Sequence, residues 1–71
     1  MNFGGLSAAD LELTSTIIYA DREAYRSGET IPVAELARRV REVKPHFTVD
    51  HVIRTAESLL EKDLLMVTRR R

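Results

Sequence analysis

Apolar residues recur at helical spacing in three stretches of the chain, which predicts three amphipathic helices. In the first stretch, Ser7 and Asp10 have the spacing of a capping box, so a helix should begin at about residue 8. Gly28 suits the left-handed position that often follows a helix, and the first helix should therefore end near Ser27.

This first helix carries more apolar surface than one small helical pair can bury. Its apolar residues form two adjacent stripes, one of Leu11, Ile18 and Tyr25 and the other of Leu13, Ile17, Ala20 and Ala24. Asp21 projects between the stripes, and three interpretations stay open. Asp21 pairs with an arginine from the second half of the chain, part of the arc faces a second subunit, or the helix end leaves the core for water.

Proline and hydroxyl residues mark the ends of two further helices. Pro32 suits the first turn of the second helix, and Pro45 ends it. Thr48 is a good N-cap for the third helix, and Asp63, which tolerates left-handed geometry, stands where it should end. The predicted buried faces are Val33, Leu36, Ala37, Val40 and Val43 in the second helix, and Val49, Val52, Ile53, Ala56, Leu59 and Leu60 in the third.

Two short segments outside the helices have an extended pattern. Residues 29–31 precede a proline and so avoid helical geometry, and residues 64–68 are typical of a strand. The order is therefore helix, strand, helix, turn, helix, strand, which predicts a mostly α fold of three helices with one short β-ribbon. All 71 residues should form a single domain.

Composition narrows the class of protein. The chain has no cysteine, so neither a disulfide framework nor a thiolate metal site is expected. No apolar run approaches the roughly 20 residues of a membrane span, and the start lacks the pattern of a signal peptide. The sequence therefore predicts a cytoplasmic domain with no membrane partner.

Charge is balanced overall but unevenly distributed. The formal net charge is zero, yet residues 1–37 hold two basic and six acidic side chains whereas residues 38–71 hold nine and five. This asymmetry fits a basic end that faces phosphate groups, and it fits equally well an ordinary solvated surface with a basic tail.

The second half of the chain, VAELARRVREVKPHFTVDHVIRTAESLLEKDLLMVTRRR, resembles the winged helix-turn-helix family of DNA-binding domains. The resemblance covers residues 30–71, with VAELARRV as the positioning helix and TVDHVIRTAESLLEKDLL as the recognition helix and start of the wing. It implies a three-helix helix-turn-helix core. The chain departs from the family in a longer turn, REVKPHF, in Asp63 where a glycine is usual, and in a wing truncated to one strand.

The polar face of the third helix is the predicted DNA-binding surface. An α-helix fits the major groove, where arginine reads guanine and hydroxyl groups reach several base edges. The predicted base-facing residues are His51, Arg54, Thr55 and Ser58, and the predicted phosphate contacts are Lys44, His46, Arg69, Arg70 and Arg71. Asp50 and Glu57 border the same face and would repel phosphate. The sequence thus favours a small DNA-binding transcriptional regulator that places residues 48–62 in the major groove of double-stranded DNA.

A protein-interaction module with a winged-helix fold is the alternative. Zero net charge, the missing wing and the wide apolar arc of the first helix all favour it, and fold does not fix function. Such a module includes a small adaptor or a phage-type modulator of host machinery. The two stripes of the first helix and the thin core also predict a homodimer, with Leu11, Ile18 and Tyr25, or the neighbouring stripe, at the contact.

Catalysis is not expected. Asp50 and His51 are adjacent on a helix and point apart, so Asp50 cannot orient the imidazole. His46 and His51 have no third ligand at a recognisable spacing, and the chain contains no phosphate-binding loop or nucleophile motif. The sequence predicts no enzyme activity, no cofactor and no metal.

Overall fold

The computed structural model describes residues 7–69. They form three helices and two short strands in the order α1 (Ala8–Arg26), β1 (Ile31–Pro32), α2 (Val33–Val43), α3 (Val49–Glu61) and β2 (Thr68–Arg69). The fold is mostly α, as the sequence predicts. In this part of the chain, no helix is both long enough and apolar enough to cross a membrane.

Local sequence signals fix the helix ends. The Ser7 side chain accepts a hydrogen bond from the Asp10 backbone N–H, and the Asp10 carboxylate accepts one from the Ser7 backbone N–H, which completes the capping box. Gly28 and Asp63 adopt the left-handed conformation, with φ of 75° and 58°. Pro32 is the N-cap of α2 and belongs to β1, so the prediction that it lies in the first helical turn is off by one residue.

One apolar core joins the three helices. Its buried members are Leu13, Ile17, Ala24, Ile31, Val33, Leu36, Ala37, Val40, Phe47, Val52, Ala56 and Leu59. Two predicted core residues are exposed instead, Val43 by 62% and Val49 by 46%. These valines flank the α2–α3 turn, where Phe47 turns inward and takes the buried position.

The two strands pair in parallel, with Ile31 opposite Thr68 and Pro32 opposite Arg69. Parallel neighbours require a crossover connection, which α2 and α3 provide here, so the ribbon is not a hairpin. In the described part of the chain β2 comprises Thr68 and Arg69, so only Thr68 of the strand predicted over residues 64–68 belongs to it. The reason is local: the backbone N–H groups of Met66 and Val67 donate to a side chain of α1 and not to a neighbouring strand.

Candidate functional site

The solvent-facing side of α3 holds Arg54 and Ser58, two of the predicted base-facing residues. The charged residues of this α3 face are three acids and two bases: Asp50, Glu57, Glu61, Arg54 and Lys62. Arg54 is itself paired, since its Nε lies 3.3 Å from Oδ2 of Asp50. The α3 face is therefore slightly acidic, and phosphate would be repelled from most of its length.

His51 points from α3 toward α1. Its Nε2 lies 3.2 Å from Oδ1 of Asp10, and its ring meets the edge of Phe47 with centroids 5.6 Å apart. Hydrogen bonds from the Ser7 backbone and then from His51 hold the pKa of Asp10 below its usual value. Asp50 does not orient this histidine, as the sequence indicates, but Asp10 does, and sequence reasoning missed that partner.

The predicted phosphate contacts lie in several places. Lys44 is bound to α1, with its Nζ 2.6 Å from Oε2 of Glu12, and this hydrogen bond lowers the pKa of Glu12. His46 is exposed and stacks against Phe47 at a centroid distance of 4.3 Å. Arg69 is exposed in β2, and Arg70 and Arg71 lie outside the described residues.

A groove of about 480 Å³ between α1 and α3 brings the predicted base-facing residues together. Its walls are Asp10, Thr14, His51, Arg54, Thr55, Ser58, Leu59, Lys62 and Leu64. Of the predicted phosphate contacts in residues 7–69, none lines this groove. The Asp10 carboxylate accepts hydrogen bonds from the backbone N–H and the hydroxyl of Ser7, and it also contacts His51. Asp10 therefore links the start of α1 to α3. Within the same residues, no cluster of three or more histidine or acidic side chains could hold a metal.

The exposed side of α1, unlike the α3 face, carries large apolar and aromatic side chains. Leu11, Tyr19 and Tyr25 are 48%, 59% and 53% exposed, and Met66, in the segment that follows α3, is 50% exposed. A second groove of about 480 Å³ is lined by Ser15, Ile18, Tyr19, Arg22, Tyr25, Arg26 and Met66. We call these seven residues, together with Leu11, the α1 face. Tyrosine, methionine and arginine are the residue types enriched at protein interfaces, and large exposed apolar patches mark such sites.

Asp21 occupies the buried side of α1 and has no exposed surface. Its carboxylate accepts four hydrogen bonds, from the backbone N–H groups of Met66, Val67 and Thr68 at 2.6, 3.0 and 2.9 Å and from the Thr68 hydroxyl at 2.7 Å. Burial by itself raises the pKa of Asp21, but these hydrogen bonds outweigh burial and lower it. Within residues 7–69 no arginine pairs with Asp21, and its buried carboxylate does not face water.

The sequence carries only part of the signal for this contact. An acid between two apolar helical stripes must find hydrogen-bond donors when it is buried, but no local pattern indicates that residues 66–68 supply them. The residues predicted to form the homodimer contact, Leu11, Ile18 and Tyr25, lie on one side of α1. Ile18 is half-buried and the other two are exposed.

Comparison of the chain with family models, curated proteins and solved structures yields no match.

Proposed function

We propose that this domain is a protein-interaction module that binds an amphipathic helix of a protein partner through the α1 face. The observation that carries the proposal is the exposure of Leu11, Tyr19, Tyr25 and Met66 on one surface. These residues offer the large apolar and aromatic side chains that dominate binding energy at interfaces. By contrast, the α3 face offers mostly carboxylates and an internal ion pair.

A helix is the expected occupant because of the spacing along α1. Leu11, Ser15, Ile18, Arg22 and Tyr25 follow one another at alternating steps of four and three residues. This is the spacing of a coiled-coil seam, which packs against a second helix by interdigitating side chains. The flanking charges Glu12 and Arg26 favour a cation and a carboxylate at opposite ends of the incoming helix.

Site-specific photo-crosslinking tests this proposal. A photoreactive phenylalanine derivative replaces Tyr19 in the α1 face, and in a matched variant it replaces Glu61, which is exposed on α3. Illumination should trap a protein adduct from position 19 and not from position 61, and peptide mapping should place the crosslink in an amphipathic helix. Adding Tyr25→Asp to the Tyr19 variant should abolish the adduct. Adducts from position 61 alone, or from neither position, contradict the proposal.

DNA binding through α3 is the second candidate function, in line with the winged helix-turn-helix resemblance. The observation in its favour is that His51, Arg54, Thr55 and Ser58 line a single groove together with Lys62. A winged-helix arrangement would place this side of α3 in the major groove.

Titration of labelled duplex DNA at low and moderate salt tests the second candidate. If α3 reads bases, Arg54→Ala should weaken binding by about 1–3 kcal/mol and relax the choice of base at one position. Removing Arg69–Arg71 should weaken binding to all sequences alike and flatten its salt dependence. The interaction module, in contrast, predicts no salt-sensitive DNA binding by the wild-type chain even at tens of micromolar.

A further inference from the structure

We infer that the helix bound by the α1 face is α1 of a second copy of this chain, in antiparallel orientation about a two-fold axis that passes near Ile18. The inference rests on the proposed function and names the partner. It starts from the seam of Leu11, Ser15, Ile18, Arg22 and Tyr25. When a second α1 runs in the opposite direction, the residues of the two seams complement one another.

Antiparallel pairing about Ile18 sets each seam residue against a suitable neighbour. Residues at equal distances from the axis face each other, so Leu11 lies against the partner's Tyr25, and Ile18 lies against the partner's Ile18. Between these layers, the small Ser15 and the partner's Arg22, which are three and four residues from Ile18, lie nearly level with each other. Ser15 leaves room for the long guanidinium group, and its hydroxyl oxygen can accept a hydrogen bond from it.

Charges on the flank of the seam fix the orientation. Glu12, Tyr19 and Arg26 follow each other at seven-residue steps beside the seam. In the antiparallel pair each Glu12 lies beside the partner's Arg26, and Tyr19 lies beside the partner's Tyr19. In a parallel pair these rows would lie on opposite sides of the seam, so Glu12 would not meet the partner's Arg26 and the two ion pairs could not form. Charge complementarity therefore selects the antiparallel second copy.

Contacts within the chain support these roles. Glu12 lies 2.6 Å from Lys44 and Arg26 lies 2.8 Å from Glu23, so both side chains are at the surface and each has an ion-pair partner within the chain. The partner's Arg26 would then join the Glu12–Lys44 pair, and the partner's Glu12 would join the Arg26–Glu23 pair. Each group extends to alternating charges with no buried, unpaired ion. The 19 residues of α1 give about 28 Å of helix over which the pair can run.

Two single charge reversals, studied apart and mixed, test the inference. Glu12→Arg alone sets arginine against the partner's Arg26 at both ends, and Arg26→Glu alone sets acid against the partner's Glu12. Each variant should dimerise about tenfold more weakly than the wild type in sedimentation experiments. An equimolar mixture of the two should recover the wild-type affinity as a heterodimer, because both ends then pair arginine with glutamate. Circular dichroism should show that both variants are folded.

A second pair of variants tests the apolar part of the seam. Tyr25→Asp should weaken dimerisation on the order of a hundredfold, since the charge meets the partner's Leu11. Val49→Asp is the control, because Val49 is similarly exposed but lies at the start of α3, where an acid also suits the helix N-terminus. It should leave dimerisation unchanged.

Several results would overturn the inference. One is that the wild-type chain stays monomeric at high micromolar concentration. Another is that mixing the two charge reversals does not recover the dimer. A third is that Val49→Asp weakens dimerisation as much as Tyr25→Asp does. A position-19 crosslink to a helix of a different protein, from a chain that is monomeric, overturns self-pairing but keeps the proposed function. Absence of any position-19 adduct together with a monomeric chain removes both.

Discussion

Helices α1 and α3 distribute their side chains in opposite ways. On α3 the buried residues are apolar and the α3 face is mostly charged, as expected for a helix on the surface of a complete domain. On α1 the buried side includes the carboxylate of Asp21, while Leu11, Tyr19 and Tyr25 remain exposed. The folded chain thus buries the apolar side of α3 but leaves a large apolar surface of α1 exposed.

The difference shows how α1 is attached to the rest of the molecule. Part of the attachment is polar: Asp10 contacts His51, Glu12 contacts Lys44, and Asp21 binds the segment from Met66 to Thr68. Two of these contacts use His51 and Lys44, which the sequence predicts to bind DNA. The count of basic residues in the second half of the chain therefore overstates the positive charge available to a ligand.

The largest expected effect comes from the carboxylate on the buried side of α1. Asp21→Asn removes the charge and leaves one acceptor oxygen for four donors, which should cost about 3–5 kcal/mol of unfolding free energy. A domain of this size has little more than that in total, so much of the variant should be unfolded. Asp50→Asn, an exposed acid on α3, should change stability by less than about 0.5 kcal/mol. Urea unfolding compares the two, and equal midpoints would mean that Asp21 is not the anchor.

Next in size is the effect of truncating leucines on the two helices. Leu59 on α3 is buried and Leu11 on α1 is 48% exposed. Leu59→Ala should cost about 2–5 kcal/mol, as should Leu36→Ala on α2, because each leaves a cavity in the core. Leu11→Ala should leave monomer stability almost unchanged and weaken self-association instead. A Leu11→Ala melt as low as that of Leu59→Ala would place Leu11 in the monomer core and end the contrast.

The sequence predicts helix ends and core faces well because both depend on local information. The capping box at Ser7 and the left-handed Gly28 and Asp63 need only their neighbours in the chain. Residues such as Leu36 follow from the helical period alone. The helical period wrongly places Val43 and Val49 in the core, because it continues to the helix ends. Burial there depends on how the turn packs, and Phe47 fills the core instead.

Contacts between distant segments could not be read from the sequence in the same way. His51 and Lys44 have the residue type and position of DNA contacts, but Asp10 and Glu12 bind them across the fold. Which acid meets which base depends on the packing of α1 against the other helices, and no local pattern encodes that. Asp21 illustrates the same limit, since its donors lie 45 to 47 residues away along the chain.

Acid should disturb the segment that binds Asp21 before it disturbs α3. Hydrogen bonds in the fold lower the pKa of Asp21 and of Asp10, so both carboxylates stabilise the protein above their ordinary pKa of about 4. This contribution is lost as the pH falls through the lower values of the folded state. As the pH is lowered below about 4, the amide proton shifts of Met66, Val67 and Thr68 should move toward random-coil values before those in the middle of α3. Simultaneous loss of both sets would contradict a local role for Asp21.

The smallest expected effect compares the first turns of α1 and α3. Ser7 caps α1 by accepting from the Asp10 N–H at 3.1 Å, and Thr48 caps α3 by accepting from the His51 N–H at the same distance. Ser7→Ala and Thr48→Ala should each cost about 1 kcal/mol in urea unfolding, the usual value of a lost N-cap. Their effects on self-association should differ, because fraying at the start of α1 displaces Leu11 and Glu12 while fraying at the start of α3 does not. Sedimentation of the two variants should show weaker dimerisation for Ser7→Ala but not for Thr48→Ala. Equal weakening would mean that the dimer contact does not depend on α1 more than on α3.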